Sequence, residues 1–334
     1  MFKMYRGILQ YFSKWFNCFF STLQVYLYAL TRPLIKWILR RTTGLCELQR
    51  TCYCEPAGAS RIIGVEMSLN KSKHQEIQKL LKFLDRAASE KLFSEDNTTI
   101  LKNAVLGICC VKKIHLDAHH PFGKSFGECV SVIWGYKQLL DELEELRRTE
   151  YSSENVEHEQ KLLHLWNTLM PGRVLETRVT SSWQDMGFQG DDPKTDFRGM
   201  GMLGLENLLY FSKNYTDAAL HVLSHSNHPK HGYPFAIVGI NLTHMALNLW
   251  KDGSAKTHSY NLCCHQTKTS CQNHGARFVS AVFINFCFFV IQSEMRSINS
   301  FSRIRKQKQH SIVFLLYCTA TFLGRNTVMD NLSK

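Results

Sequence analysis

Helical periodicity is the feature that most constrains how this chain folds. Across residues 75–251, apolar residues recur every three or four positions, and short polar or Gly- and Pro-containing turns separate the apolar runs. Strand-like candidates in this part of the chain are short and unpaired. The pattern predicts an all-α fold class, and it favours a core position for the aromatic residues within the apolar stripes.

Several helices and one loop can be placed from the pattern. We predict apolar helix faces over residues 77–88 and 133–146, a helix from Ser152 to Pro171, one that starts around Gly201, one after Asn214 and one over residues 234–251. Residues 112–124 contain three histidines and a proline, so we predict a loop there. A metal site in that loop is not favoured, because no Cys or acidic residue completes a helical His pair.

Charge is distributed unevenly along the chain. The formal net charge is +12, and it divides into +7 for residues 1–50, −2 for residues 51–261 and +7 for residues 262–334. A near-neutral body is unlike a nucleic-acid-binding groove, so we expect no nucleic-acid partner. The two basic ends are also apolar, and that combination indicates contact with a membrane surface.

The N-terminal segment, residues 1–43, is the first of these ends. Residues 15–31 carry no charge, are rich in aromatic residues and leucine, and only just reach the length that a bilayer core requires. Three interpretations remain open: an amphipathic anchor on a cytosol-facing membrane, a short transmembrane helix and a signal peptide. No small-x-small cleavage pattern is well placed after Thr31, so the signal peptide ranks last and the anchor first.

The cysteines give a separate indication of the compartment. The chain has 12 of them, unevenly spaced and including adjacent pairs, which is unlike the disulfide framework of a small secreted domain. We therefore expect reduced thiols in a cytosolic protein, and we attribute the short glycosylation sequons to chance.

One arginine, Arg198, lies between an acidic turn and an apolar helix. Asp192 precedes Pro193, and proline both fixes its own φ and moves the preceding residue out of the helical region, so a turn is expected there. Leucines at near-helical spacing follow from Gly201 onward. The sequence therefore presents Arg198 at or just before a helix start.

Two interpretations of this arginine compete on chemistry alone. An arginine near Asp191, Asp192 and Asp196 is most often part of a structural ion pair. The other interpretation is a catalytic or partner-binding arginine displayed on a fixed segment.

The neighbouring glycines match a nucleotide-binding pattern only superficially. Gly199, Gly201 and Gly204 have the G-x-G-x-x-G spacing. That pattern requires a buried strand immediately before it, and here the preceding residues are D-P-K-T-D-F-R. We expect these glycines to permit close approach of another backbone or of a partner.

The run G-F-Q-G-D-D-P-K-T-D-F-R-G-M-G-M-L-G-L-E-N-L-L-Y-F resembles the signature of the ELMO domain in the ELMOD family, with the greatest similarity to its second vertebrate paralogue. The resemblance covers residues 34–261. It implies a single all-α ELMO domain, with a helical N-terminal part over residues 44–130 and a core over residues 131–261. Residues 262–334 form a divergent tail, so the domain is expected to be incomplete at its C-terminal edge beyond Asn261, with an exposed apolar face that costs stability.

The resemblance also implies a function. The ELMOD family comprises GTPase-activating proteins for Arf and Arf-like GTPases, and the proposed catalytic arginine of its D-F-R-G motif falls on Arg198. The expected protein regulates an enzyme, is not itself an enzyme, and needs neither cofactor nor metal. Its expected partners are a GTP-bound Arf-family GTPase and an intracellular membrane surface, that of the endoplasmic reticulum, lipid droplet or mitochondrion.

The remaining residues of the expected site support Arg198. They are Trp183, Gly187, Phe188, Gln189, Asp191, Asp192, Asp196, Gly199 and Gly201. Gln189 would help to position the loop or the attacking water, and the aspartates would fix the backbone and the arginine rotamer. An alternative function is that of a non-catalytic, membrane-tethered adaptor, which needs this surface but not the arginine.

Overall fold

The structure is a computed structural model that describes residues 2–92, 99–229 and 232–265. These residues form eleven α-helices and two 3-10 helices, and none of them lies in a strand. The predicted all-α fold class is therefore confirmed.

The helices follow one another closely along the chain. They are α1 (Phe2–Thr43), α2 (Glu47–Cys54), α3 (Ala59–Asn70), α4 (Gln75–Ser89), α5 (Thr99–Lys112), α6 (His120–Arg148), α7 (Val156–Leu169), α8 (Gly201–Asn214), α9 (Thr216–Ser226), α10 (Phe235–Lys251) and α11 (Lys256–His265). The first 3-10 helix (Ser181–Met186) and the second 3-10 helix (Pro193–Arg198) lie between α7 and α8.

Two boundaries differ from the sequence-based prediction. The loop predicted over residues 112–124 is shorter, because α6 already begins at His120, with Pro121 in its first turn. Proline is compatible with that position, since the N–H it lacks would have no partner within the helix. Helix α7 begins at Val156, later than predicted, because the Asn155 side chain caps it by accepting the N–H of Glu157.

Helix α6 is the central element of the core. It contacts α2, α3, α4, α5, α8, α10 and α11. Its buried residues include Phe122, Phe126 and Trp134, which are nearly inaccessible to solvent. Burying a large apolar side chain contributes about 1.5–3 kcal/mol, so this helix stabilises much of the fold. One continuous core extends from Leu48 to Tyr260, and the expected boundary between residues 130 and 131 falls inside α6.

The last described helix, α11, packs on α3 and α6. Tyr136 of α6 stacks on Trp250 with ring centroids 5.0 Å apart, and Tyr260 of α11 meets the Tyr136 ring edge-on at 5.6 Å. The Asn261 side chain accepts the N–H of Ala59 at 2.8 Å. The expected divergent tail lies outside the described residues from residue 266 onward.

Helix α1 is a single helix that continues through Pro33. Many of its large apolar side chains are exposed, among them Phe20, Leu23, Tyr26, Leu27, Leu30, Leu34, Trp37 and Ile38. Within the described residues, no helix combines the length and apolarity that crossing a bilayer requires. Association of this segment with a membrane surface stays a prediction.

Candidate functional site

The first 3-10 helix begins the segment that carries the expected site. The Thr180 hydroxyl accepts the N–H of Ser182, and the helix is followed by Gly187, which has a φ of 80°. A Cβ on Gly187 would lie 2.2 Å from the backbone nitrogen of Phe235, a distance that atoms do not tolerate. Glycine therefore allows this turn to pack against the start of α10.

The second 3-10 helix carries Arg198 as its last residue. Asp192 caps this helix, since its carboxylate accepts the N–H of Lys194 at 2.9 Å, and Pro193 presets the first φ angle. The Asp196 carboxylate accepts the backbone N–H of Gln189 at 2.9 Å. These two aspartates thereby fix the backbone at Lys194 and at Gln189.

Asp191 adds a third link within the same loop. Its carboxylate accepts from the Gln184 side chain at 3.1 Å, and its carbonyl accepts the N–H of Thr180 at 3.0 Å. The two 3-10 helices are thereby joined into one unit.

Aromatic side chains support this unit from the interior. Trp183 is fully buried and meets Trp166 of α7 edge-on, with ring centroids 5.1 Å apart. Phe188 lies between Trp183 and Phe197, at 5.8 Å and 5.7 Å. The exposed residues Gln189 and Arg198 thus adjoin anchored neighbours, which limits the motion of their backbone.

Arg178 forms an ion-pair cluster that fixes the loop to α7. Its Nε donates to both oxygens of Glu159, at 2.9 and 2.7 Å, and its Nη2 lies 3.0 Å from the Asp192 carboxylate. The Tyr151 hydroxyl donates to Glu159 in the same cluster. Burial opposes the charge on Arg178, but the hydrogen bonds with Glu159 and Tyr151 outweigh it and raise the pKa of Arg178 above its usual value.

Arg198 itself is exposed. Among the described residues, no carboxylate lies within ion-pair distance of its guanidinium. The ion-pair interpretation of this arginine is therefore wrong for this structure, and the nearby aspartates bind other groups. Burial raises the pKa of Asp196, and the Gln189 N–H and the Arg198 charge both oppose that rise.

The two glycines after Arg198 have different surroundings. A Cβ on Gly199 would meet nothing within 4 Å. Gly201 has a φ of 51°, and a Cβ there would lie 2.4 Å from the carbonyl oxygen of Thr149. The start of α8 therefore packs directly against the end of α6, and the N–H of Met202 donates to the Thr149 carbonyl at 2.9 Å. This close backbone approach agrees with the expectation for Gly201 but not for Gly204, whose Cβ position is nearest to side-chain atoms of Met200 and Phe197.

The predicted site residues lie together in one loop of the structure, but some are buried and others are exposed. Trp183, Phe188 and Gly201 are buried, whereas Gln189, Asp191, Arg198 and Gly199 are exposed.

The Arg178 cluster was not among the features predicted from the sequence. Tyr151, Glu159 and Arg178 come from different parts of the chain, and no local pattern links them. Only a set of inter-element contacts could have identified it.

The site therefore consists of an exposed guanidinium on a short segment that is fixed by caps, ion pairs and buried rings. A planar guanidinium with several donors suits bidentate binding of phosphate or carboxylate oxygens. Because the segment is already ordered, little backbone entropy is lost when a partner binds it.

Comparison with known proteins identifies the family. The pattern of the ELMO/CED-12 family matches residues 141–318, past Asn261 and into the segment that the sequence analysis treated as a divergent tail. Human ELMO domain-containing protein 2 is 41% identical over 285 residues, which covers 84% of this chain and 90% of that protein. Human ELMO domain-containing protein 1 is 37% identical over 319 residues, 87% of this chain and 91% of that protein.

A distant relative matches over a similar length. ELMO domain-containing protein B of Dictyostelium discoideum is 31% identical over 292 residues, 84% of this chain and 93% of that protein. No solved structure matches the chain. The family pattern and these long alignments, together with the helical fold, show that the chain belongs to the ELMO/CED-12 family, among the ELMO domain-containing proteins.

Proposed function

We propose that this protein is a GTPase-activating protein for Arf and Arf-like GTPases and that it supplies Arg198 in trans. The observation that supports this function is the state of Arg198: exposed, at the end of a fixed 3-10 helix, and without a carboxylate at ion-pair distance among the described residues. An arginine held in an ion pair would first have to break that pair. Arg198 is available to a partner as it stands.

The proposed mechanism is electrostatic. During GTP hydrolysis negative charge grows on the phosphate oxygens of the transition state, and the guanidinium stabilises that charge once the GTPase has bound and excluded water. An arginine supplied in this way increases the rate by about 10³–10⁵. Lysine is a poor replacement, because its point charge does not bridge two oxygens as a planar guanidinium does.

The neighbours of Arg198 have supporting roles in this mechanism. Gln189 is exposed in the same loop, and its side chain would position the loop or the attacking water. Asp192 and Asp196 hold the backbone through the N–H groups of Lys194 and Gln189 and leave the guanidinium free. The aspartates therefore orient the segment without neutralising its functional charge.

The test is single-turnover GTP hydrolysis by a panel of Arf and Arf-like GTPases, with and without the full chain. We expect the wild-type protein to accelerate hydrolysis by about 10³ or more for at least one GTPase, and Arg198→Ala and Arg198→Lys to remove that acceleration. Arg86→Ala is the matched control, because Arg86 is an exposed arginine on α4. Unchanged acceleration by a folded Arg198→Ala protein would exclude the arginine-finger mechanism.

A second candidate function is that of a non-catalytic adaptor that binds the GTPase or its regulators through the same loop. Exposed apolar side chains in the segment between α7 and the first 3-10 helix favour a protein partner here: Val174 is 90% exposed and Val179 is 56% exposed. In the adaptor case the full chain would bind the GTPase, leave its rate unchanged, and keep its affinity when Arg198 is replaced by Ala.

The proposed location is a cytoplasmic, intracellular membrane surface. The exposed apolar side chains of α1 and its basic residues support that location.

A further inference from the structure

A basic pocket lies where α1 meets the start of α2 and the ends of α3 and α5. Its volume is about 650 Å³. The residues that line it are Arg32, Pro33, Lys36, Arg40, Cys46, Glu47, Leu48, Arg50, Ser68, Lys71, Ser72, Lys73, His74 and Lys112. Seven of these are Lys or Arg, and one is acidic.

The geometry of the pocket follows from the turn after α1. Gly44 has a φ of 67°, and its N–H donates to the carbonyl of Arg40 at 3.0 Å, so the chain reverses there. The reversal places Glu47 of α2 beside α1, where its carboxylate pairs with Arg32 at 2.9 Å and with Lys36 at 2.5 Å. Arg32 and Lys36 thereby join α1 to α2 at the wall of the pocket.

The other cations exceed the local negative charge. Glu47 already serves Arg32 and Lys36, and the Ser68 hydroxyl also donates to it, at 2.8 Å. Within the described parts of the chain, no carboxylate lies at ion-pair distance from the other five basic residues of the pocket, which are Arg40, Arg50, Lys71, Lys73 and Lys112. Arg50 donates to the carbonyl of Leu45 at 2.6 Å.

Lys112 lies close to other charged groups of the pocket. Burial lowers the pKa of Lys112; Cys46 and Glu47 oppose that shift, and the charges of Lys36 and Arg40 add to it. An anion with several charges would relieve the repulsion among these groups. The volume lies within the usual range for a small-molecule site, roughly 300–1,000 Å³, and therefore accommodates a ring-sized group.

We propose that the basic pocket binds the headgroup of a membrane lipid that carries more than one phosphate. Several separate cations match several phosphates better than they match the single charge of an ordinary anionic headgroup. This inference goes beyond the proposed function, since it does not involve Arg198 or a GTPase.

The position of the pocket on α1 favours a lipid over a soluble phosphate compound. Basic residues of the pocket, Arg32, Lys36 and Arg40, recur every four residues along one face of α1. The exposed residues Leu27, Leu30, Leu34 and Ile38 recur every three or four residues along the roughly opposite face.

Because α1 has one apolar and one basic face, the way it lies on a membrane determines how far the pocket is from the lipid. A helix is about 10–12 Å across, so an apolar face in the lipid interface places the basic face one helix diameter above the acyl chains. Phosphates on a headgroup extend to that level. The lipid headgroup is therefore the occupant that both faces of α1 fit.

The experiment is vesicle co-sedimentation of the full chain. One set of phosphatidylcholine vesicles contains a few per cent of phosphatidylinositol bisphosphate, and a second contains enough phosphatidylserine to give the same total charge. We expect stronger binding to the first set, and a loss of roughly tenfold or more for Lys71→Glu with Lys73→Glu. The control, Lys124→Glu with Lys213→Glu, makes the same charge change at exposed lysines outside the pocket and should keep its binding.

A milder pair, Lys71→Gln with Lys73→Gln, is measured beside these variants, and thermal melting verifies that each protein is folded. Equal binding to both vesicle sets, or equal loss in the control, would overturn the pocket in favour of a diffuse surface charge. Binding of soluble inositol trisphosphate without binding of the phosphoinositide vesicles would overturn the lipid assignment. If the protein with Lys71→Glu and Lys73→Glu lost GTPase binding but kept vesicle binding, the pocket would be reassigned to a protein interface. GTP hydrolysis measured in solution, without vesicles, tests the role of Arg198 independently of the basic pocket. The two proposals can therefore fail separately.

Discussion

Arg178 lies among two carboxylates and a tyrosine, whereas Arg198, further along the same loop, is exposed and has no carboxylate at ion-pair distance among the described residues. The cluster around Arg178 joins the loop to α7, so that arginine stabilises the fold. Arg198 contributes no such link and keeps its donors available. Both residues are arginines, so residue type does not separate them. A structural arginine differs from one that is available to a partner molecule in that nearby carboxylates already bind it.

The largest effect is expected where the loop meets α10. Gly187→Ala should lower the free energy of unfolding by about 3 kcal/mol or more, because the new Cβ would clash with the backbone of Phe235 at a positive φ. Gly190→Ala is the control, since nothing lies within 4 Å of its Cβ position, and it should change stability by about 0.5 kcal/mol or less. Chemical denaturation measures both. Equal stability of the two variants would show that the loop is not fixed against α10.

Removal of the Arg178 charge should come next in size. Arg178→Met keeps the unbranched apolar part of the side chain but leaves Glu159 and Asp192 without their ion-pair partner, and we expect a loss of about 2–3 kcal/mol. Arg173→Met breaks an exposed pair with Asp185 and should cost about 0–1 kcal/mol. Similar midpoints of urea unfolding for the two variants would contradict a special role for the Arg178 cluster.

Asp196 provides a smaller test of how the loop is held. Asp196→Ala removes the acceptor of the Gln189 N–H and should cost about 1 kcal/mol, whereas Asp196→Asn keeps an acceptor oxygen and should cost less. Thermal melting compares the two variants. If Asn were as destabilising as Ala, the charge of Asp196, and with it the field of Arg198, would matter more than the hydrogen bond.

The smallest effect concerns Glu144, the ion-pair partner of a second structural arginine, Arg147, and it depends on pH. Glu144 of α6 pairs with Arg147 and with Lys251 of α10, and the hydrogen bond from Arg147 makes the largest contribution to lowering the pKa of Glu144 to about 2. A lowered carboxyl pKa stabilises the fold above the unfolded-state value and loses that contribution as the pH falls. Glu144→Gln should therefore cost about 1 kcal/mol or less at neutral pH, and the difference from wild type should shrink as the pH falls from about 4.5 towards about 2. A difference that stays constant over that range would point to packing and not to charge.

Much of the fold was predictable because helix signals are local. The apolar face of Ile77, Leu81 and Leu84 indicated α4, and the apolar residues after Gly201 indicated α8, as observed. Boundaries were less predictable. The start of α7 depends on one side-chain cap at Asn155, which competes with other polar residues just before it.

The sequence by itself determined the all-α class, the turn before Arg198 and, through the D-F-R-G motif, the resemblance to a family. These features depend on the spacing of neighbouring residues and need no knowledge of distant contacts. Only the tertiary structure decided that Arg178 takes the ion pairs while Arg198 has none among the described residues, and that Gly187 and Gly201 lie against other backbones. It also decided that cations from α1, α2, α5 and the turn between α3 and α4 converge on one pocket. Each of these depends on groups far apart in the chain, whose distances are set by how the helices pack.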